Sequence, residues 1–201
     1  MLIRFLIGSL MIGSIYGLIG LGYSLIYSAS GLMTFAQGEL FMIGAFVGLT
    51  FYKYLKLPFL LSLIFTMIVM FLVGFLLEKG VIRRLLKREG QMQDIFIVLA
   101  TIAVSIFMKN FAQLTWGSRR LEFPPIFGMT TIKVAGISFQ PESFLVVILS
   151  LICMLLLHLF MIKTKFGTAM RSAAQDPLAA KSCGVDVSLT TGITWGISAA
   201  V

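Results

Sequence analysis

Four stretches of this chain carry no Asp, Glu, Lys or Arg: residues 5–38, 57–77, 95–108 and 143–162. A helix needs ~20 apolar residues to cross a ~30 Å hydrocarbon core. Three of the runs reach that length, and 95–108 reaches it with its flanks. In lipid the backbone must satisfy its own hydrogen bonds, so these runs form helices. The ~10-residue alternating segments of a transmembrane barrel are not visible in the sequence. Helices are therefore predicted at roughly 5–28, 58–77, 92–112 and 143–162.

Two further apolar segments are shorter. Residues 28–39 (Ser-Ala-Ser-Gly-Leu-Met-Thr-Phe-Ala-Gln-Gly-Glu) interrupt an otherwise apolar stretch. As a helix, 39–52 alone would be ~21 Å long, too short to span. Either that helix starts earlier, near Met33, or the chain is broken at membrane depth. A break at depth survives only where it packs in protein or lines a cavity. Thr34, Gln37 and Glu39 are then candidate pathway residues. The alternative is an interfacial loop with Glu39 at a helix N-terminus, where the dipole favours a carboxylate. The last run, 189–201, would be ~20 Å of helix and has no capping or flanking charge, as expected for a chain that stops inside a membrane segment.

The polar segments between the runs differ in kind. Lys79, Arg83, Arg84, Lys87 and Arg88 face only Glu89 and Asp94 in the 79–94 loop, which reads as cytoplasmic by the positive-inside rule. Residues 110–142 form the longest polar stretch and an expected extracytoplasmic loop. Within it, Thr131-Ile-Lys-Val and Ile137-Ser-Phe-Gln flank Ala135-Gly136 as a small hairpin. In 163–186, Phe166, Met170, Ala174 and Leu178 are spaced by four, with Ala173 on the same side, predicting one helical face. Asp176-Pro177 can restart a helix as N-cap and first position, and Gly184 can end it. Two short helices at the membrane surface fit, as an interfacial anchor or as a docking surface. The small residues and modest apolar face would anchor weakly. Ser9, Gly13 and Gly17 form a small-residue ridge that would let another helix approach, and Gly44 and Gly48 repeat the spacing. His158 is expected as an interfacial or packed histidine one turn from Lys163.

Composition agrees with the pattern. Hydrophobic residues make up 59% of the 201 and charged residues only 12%, with a mean hydropathy of +1.01. The formal charge of +8 does not indicate nucleic acid, because the cations sit at the ends of membrane runs. Cys153 and Cys183 supply no disulfide or metal framework. The length of the first run predicts a retained membrane helix rather than a cleaved leader. No phosphate loop, H-E-x-x-H or G-x-S-x-G occurs. No catalytic residue, cofactor or metal site is expected, and the chain reads as a transport subunit rather than an enzyme.

Residues 17–27 (Gly-Leu-Ile-Gly-Leu-Gly-Tyr-Ser-Leu-Ile-Tyr), followed by Gly31-Leu-Met-Thr-Phe-Ala-Gln-Gly-Glu39 and Met42-Ile-Gly-Ala-Phe, resemble the start of LivH-type permeases. These are membrane subunits of branched-chain amino-acid ABC importers. The resemblance continues through Ser105-Ile-Phe-Met-Lys-Asn110, Leu114-Thr-Trp-Gly-Ser-Arg119, Lys165-Phe-Gly-Thr-Ala-Met-Arg171, Ala174-Gln-Asp176, Ala179-Ala180 and Gly184-Val, so it covers essentially the whole chain. It implies an importer of two related permeases, two cytoplasmic ATPases and an external solute-binding protein, in the inner membrane of a bacterium. It implies a translocation pathway near Thr34, Phe35, Gln37, Gly38 and Glu39. It also implies a coupling segment that docks on an ATPase through Phe166, Gly167, Arg171, Asp176, Pro177 and Gly184. The family usually has Asn at position 34 and His at 37. Thr34 and Gln37 keep the hydrogen bonding but remove an ionisable imidazole. Members typically continue for several more helices, so the chain is expected to be C-terminally truncated.

The expected architecture is one all-α, polytopic transmembrane helical bundle over 1–201. It has about six membrane segments, the last incomplete, and a short cytoplasmic coupling helix pair in 163–186. The expected function is passage of branched-chain amino acids, or of similar small solutes such as urea or amides. The rival class is an ion channel or secondary carrier without an ATPase. It would need intramembrane charges to bind coupling ions, for which only Glu39 is a candidate. A structural membrane scaffold is a third class. Co-purification with an ATPase separates the first from the others.

Overall fold

A computed structural model describes residues 2–31, 33–86, 93–119, 121–124, 132–134, 137–139 and 141–201. Helix α1 spans Leu2–Ser30, α2 Gln37–Leu49, α3 Phe59–Leu77, α4 Arg83–Leu86, α5 Gln93–Trp116, α6 Pro141–Lys163, α7 Lys165–Gln175, α8 Pro177–Ser182 and α9 Val187–Ala200. Strands β1 (Ile132–Val134) and β2 (Ile137–Phe139) pair antiparallel, with Ile132 opposite Phe139, as the hairpin pattern predicts. The chain is otherwise a helical membrane bundle. Among the described residues, four helical stretches are long and apolar enough to cross a membrane: Gly8–Ser30, Phe59–Leu85, Ile95–Trp116 and Glu142–Lys163. Their outward faces carry large apolar side chains such as Leu60, Leu72, Ile106, Leu114 and Leu155, as lipid contact requires. The predicted charges Lys87, Arg88 and Glu89 lie outside the described residues.

The interrupted segment is broken, as one of the two sequence readings has it. Helix α1 stops at Ser30, and Gly31 takes φ +66, a left-handed conformation that costs glycine nothing. Residues 33–36 are not helical, with a bend at Phe35, and α2 begins at Gln37. Glu39 lies in the first turn of α2, so the helix-terminus placement also holds. Beyond Leu49 the helix widens into a π-turn, Thr50–Tyr54, in which the Leu55 N–H reaches the Thr50 carbonyl.

Two sequence-based boundaries shift. The loop expected from residue 110 begins only at Gly117, because α5 runs on to Trp116. Ala112 on that stretch is buried, and the Trp116 indole donates to Thr50 Oγ1 at 2.8 Å while stacking on Phe46. Lys109 is exposed on this helix, and a long cation can lie along a helix that continues past it. Helix α6 likewise starts at Pro141, and His158 is exposed on it.

The most extensive helix pairing is between α3 and α9, which run antiparallel. Glycines bring their backbones together. A Cβ at Gly74 would collide with the Trp195 carbonyl and lie 2.7 Å from Ala199 Cβ, and one at Gly196 would fall 2.7 Å from the Phe71 ring. Trp195 is 1% exposed and packs with Ile26, Ile82 and Ile97. A second cluster, Leu40, Ile43, Met70 and Met108, joins α2, α3 and α5. Of the predicted ridge on α1, only Gly17 is filled, by Met154; a Cβ at Gly13 would meet nothing within 4 Å. Gly44 and Gly48 do receive neighbours, Met70 and Thr66 on α3.

The Ile26–Ile82–Ile97–Trp195 cluster brings the ends of α1 and α3 and the start of α5 to the end of the bundle that holds α7 and α8. The turn at Lys79 and the 163–186 segment therefore share a side, as the topology reading requires. Arg84 and Arg119 are both exposed, at opposite ends of α5. In a cysteine-free background, an impermeant thiol reagent should label Arg119→Cys and spare Arg84→Cys in intact cells. Labelling at position 84 would invert the orientation.

Candidate pathway and coupling sites

The candidate pathway residues sit where α2 packs against α1, α3, α5 and α9. Thr34 is buried at 4% exposure, and its Oγ1 accepts from the Ala36 N–H at 3.2 Å, closing a turn just before α2. The Phe35 N–H reaches Thr101 Oγ1 on α5 at 3.4 Å. Thr101 lies eight residues into α5, ~12 Å from its start at 1.5 Å per residue, so the break in the chain is not at the helix ends. Ser105 Oγ donates to Glu39 Oε1 at 3.4 Å. The pairs 35–101, 39–105 and 50–116 share one sequence offset, 66, so α2 and α5 run parallel in fixed register.

Gln37 points the other way. Its Nε2 donates to Ser198 Oγ at 3.3 Å and to the Ser198 carbonyl at 3.4 Å, while Ser198 Oγ donates to the Gly22 carbonyl at 2.7 Å. This chain of bonds ties α2, α9 and α1 together. A Cβ at Gly22 would stand 2.9 Å from Gln37 Nε2, so a larger residue there would disturb the tie. Gln37 and Ser198 also line a cavity of about 360 Å³ between α1, α2, α3, α6 and α9. Its other walls are mainly apolar, including Leu40, Phe41, Met67, Met70 and Val146, with Ser62, Thr66 and Ser150 as further polar groups.

The five predicted pathway residues are thus divided. Gln37 meets the cavity, Glu39 meets α5, and Thr34 is enclosed. Gly38 and Phe35, the latter 59% exposed, look outward together with Met33 and Phe41. Thr101, Ser105 and Ser198 complete the polar set. All three sit inside apolar runs, where a hydroxyl bonded to its own helix, as Thr101 is to the Val98 carbonyl, gives no sequence signal.

The candidate coupling segment is built from consecutive caps. Thr164 Oγ1 accepts from the Gly167 N–H at 3.0 Å to start α7. Asp176 Oδ1 accepts from Leu178 and Ala179 at 2.9 and 3.0 Å, with Pro177 first in α8. Gly184, at φ +82, ends α8, with the Val185 N–H reaching back to the Ala180 carbonyl at 3.0 Å. Asp186 Oδ1 then caps α9 through the Leu189 N–H at 3.0 Å.

The two expected short helices form, and the four-residue spacing does not carry across the joint between them. Asp176, at φ −150 and ψ 102, turns the chain out of helix between α7 and α8. The buried stripe is Gly167, Met170 and Ala173, whereas Phe166 is 49% and Leu178 77% exposed. Gly167 packs on the backbone of Met161 at the α6–α7 joint, so it shapes the segment from inside. Arg171, Asp176 and Pro177 are exposed, as are the cations Lys163, Lys165 and Lys181. The exposed side chains of this segment thus include four cations and the apolar Phe166 and Leu178.

The family described as branched-chain amino acid transport system / permease component matches residues 5–201. The chain belongs to that family. Among curated proteins it is similar to the high-affinity branched-chain amino acid transport system permease protein BraD of Pseudomonas aeruginosa, at 28% identity over 98% of this chain and 66% of the relative. It is similar to the LivH protein of the same description from Salmonella typhimurium, at 27% identity over 94% of this chain and 64% of the relative. The LivH protein of Escherichia coli K12 follows at 26% identity over the same shares. The chain therefore spans about two thirds of the length of these relatives. No solved structure matches significantly.

Proposed function

We propose that this chain is part of the membrane permease of an ATP-driven importer for branched-chain amino acids or similar small solutes, working in the inner membrane of a bacterium. The supporting observation is the family match along residues 5–201. In this reading two homologous permeases enclose a path onto which Phe35, Gly38 and Glu39 face, with Thr34 and Gln37 holding that segment in place. An external protein delivers the solute, and two ATPases engage the surface of α7 and α8. The chain supplies no phosphate-binding loop of its own, so energy enters from those subunits.

The full-length permease, expressed with its partner permease, the neighbouring ATPases and the external binding protein, should retain the ATPases on purification. It should drive ATP-dependent uptake of labelled leucine into vesicles. Uptake that persists with the ATPases omitted would instead mark a channel or secondary carrier. Within the complex, Glu39→Gln should leave membrane insertion intact and lower initial uptake about tenfold, which corresponds to ~1.4 kcal/mol. Unchanged uptake would place the path away from the α2–α5 contact.

A further inference from the structure

Among the described residues one charged group, Glu78, is buried in the bundle, and the proposed pathway does not use it. At the end of α3 the helix widens into a second π-turn, Glu78–Ile82, in which the Arg83 N–H bonds the Glu78 carbonyl. On a regular α-helix the side chains that meet are three or four residues apart. The wider turn instead brings residues five apart together. Arg83 Nε donates to Glu78 Oε1 at 3.1 Å and Nη2 to Oε2 at 2.7 Å, a bidentate pair. Glu78 is 1% exposed. Single-turn π-segments are often found at functional sites.

The pair also reaches beyond its own helix. Arg83 Nη2 donates to the Ser188 carbonyl in the first turn of α9 at 2.8 Å. Gly192, one turn later, leaves room for it: a Cβ there would stand 3.1 Å from Glu78 Oε2 and 3.2 Å from Arg83 Nη2. Ser188 follows Gly184, the end of α8, by only four residues, and Asp186 caps α9 between them. Movement of α7 and α8 thus reaches the first turn of α9 through a short capped link. From there Arg83 and Glu78 carry it to α3.

We propose that Glu78 and Arg83 are positioning residues that transmit displacement of the α7–α8 segment through Ser188 to α3. This inference rests on the importer reading. The ion pair fixes the guanidinium at the end of α3, and sliding of α9 would break its hydrogen bond to the Ser188 carbonyl, so α3 and the start of α9 shift as one body. In the full-length importer in liposomes, Arg83→Gln should leave the ATPases bound in normal ratio. Solute moved per ATP hydrolysed should fall at least fivefold. Arg83→Lys, which keeps the charge but loses the fork, should fall between Arg83→Gln and the unmodified protein, and it carries the test if Arg83→Gln does not accumulate. The exchange Glu78→Arg with Arg83→Glu keeps an ion pair, but a carboxylate at 83 cannot donate to Ser188, so transport should stay uncoupled.

A second measurement is independent of the ATPases. Spin labels at the exposed positions Lys79→Cys and Lys181→Cys, with Cys153 and Cys183 replaced by Ala, should give a narrow distance distribution that Arg83→Gln broadens. A normal solute-to-ATP ratio in Arg83→Gln, or an unbroadened distribution, overturns the proposal. So does a lower yield of complexes that transport with the normal ratio. If the unmodified permease retains no ATPase, the importer reading itself has failed, and the label distances still decide whether Arg83 ties α8 to α3.

Discussion

Replacing Gly74 with valine should remove most of the protein from the membrane. The first added carbon collides with the Trp195 carbonyl, a backbone atom that no rotamer change can move. Relief requires α9 to back away from α3, which opens the cluster of Trp195, Ile26, Ile82 and Ile97. Overpacking costs about 1–3 kcal/mol where side chains can yield, and a backbone clash belongs at or above the top of that range. Total stabilities of only about 5–15 kcal/mol leave little room for it. Gly13→Val is the matched control, since a Cβ there meets nothing within 4 Å. Membrane accumulation and thermal unfolding of the full-length protein should be lost for the first and nearly unchanged for the second. Equal behaviour of the two would contradict the close packing of α3 on α9.

Reversing the charge at Arg171 should strip the ATPases from the complex while the permease stays in the membrane. Arg171 is exposed on α7, on a surface where Lys163, Lys165 and Lys181 are also exposed. An acidic groove on the partner would be its complement. Glutamate there sets like charges together, which costs several kcal/mol in an interface, more than losing one rim pair. Retention of ATPase on an affinity-tagged permease should fall more than 100-fold, equivalent to ~2.8 kcal/mol. Phe166 and Leu178, also exposed on the segment, should tolerate other apolar residues but not aspartate. An Arg171→Glu permease that still holds a transport-coupled ATPase would move the docking surface elsewhere.

What could be read from the residues alone was set by how local each cause was. Absence of charge over 57–77 and 143–162 is local, and both became membrane helices. The caps at Asp176 and Gly184 depend on their own and adjacent backbone, and both form as expected. The break before Gln37 could only be posed as an alternative, because its support comes from Thr101 on α5. Small-residue spacing says that helices can approach but not whether they do. The ridge is unfilled at Gly13, while the same spacing at Gly192 and Gly196 lies in the most extensive helix pairing, α9 on α3. The pairing of Glu78 with Arg83 was hidden because five residues is not a meeting distance on an α-helix. The four-residue spacing from Phe166 to Leu178 does not carry across Asp176, which starts the second of the two expected short helices.

The composition of α9 bears on how the protein is made. Its buried positions are Thr190, Thr191, Gly192, Thr194, Trp195, Gly196 and Ser198, a face of hydroxyls and glycines with one indole. The threonine hydroxyls are spent on carbonyls of their own helix, and Ser198 on Gly22. Such a face gains little from lipid and much from a waiting helix, since small and hydroxylated residues favour helix-on-helix contact in membranes. By the time the ribosome has made α9, α3 with Gly74 has long been synthesised. During biosynthesis α9 would then leave the translocon onto α3 rather than into lipid. A defect in α3 would appear first as failure of a segment more than 100 residues downstream to integrate.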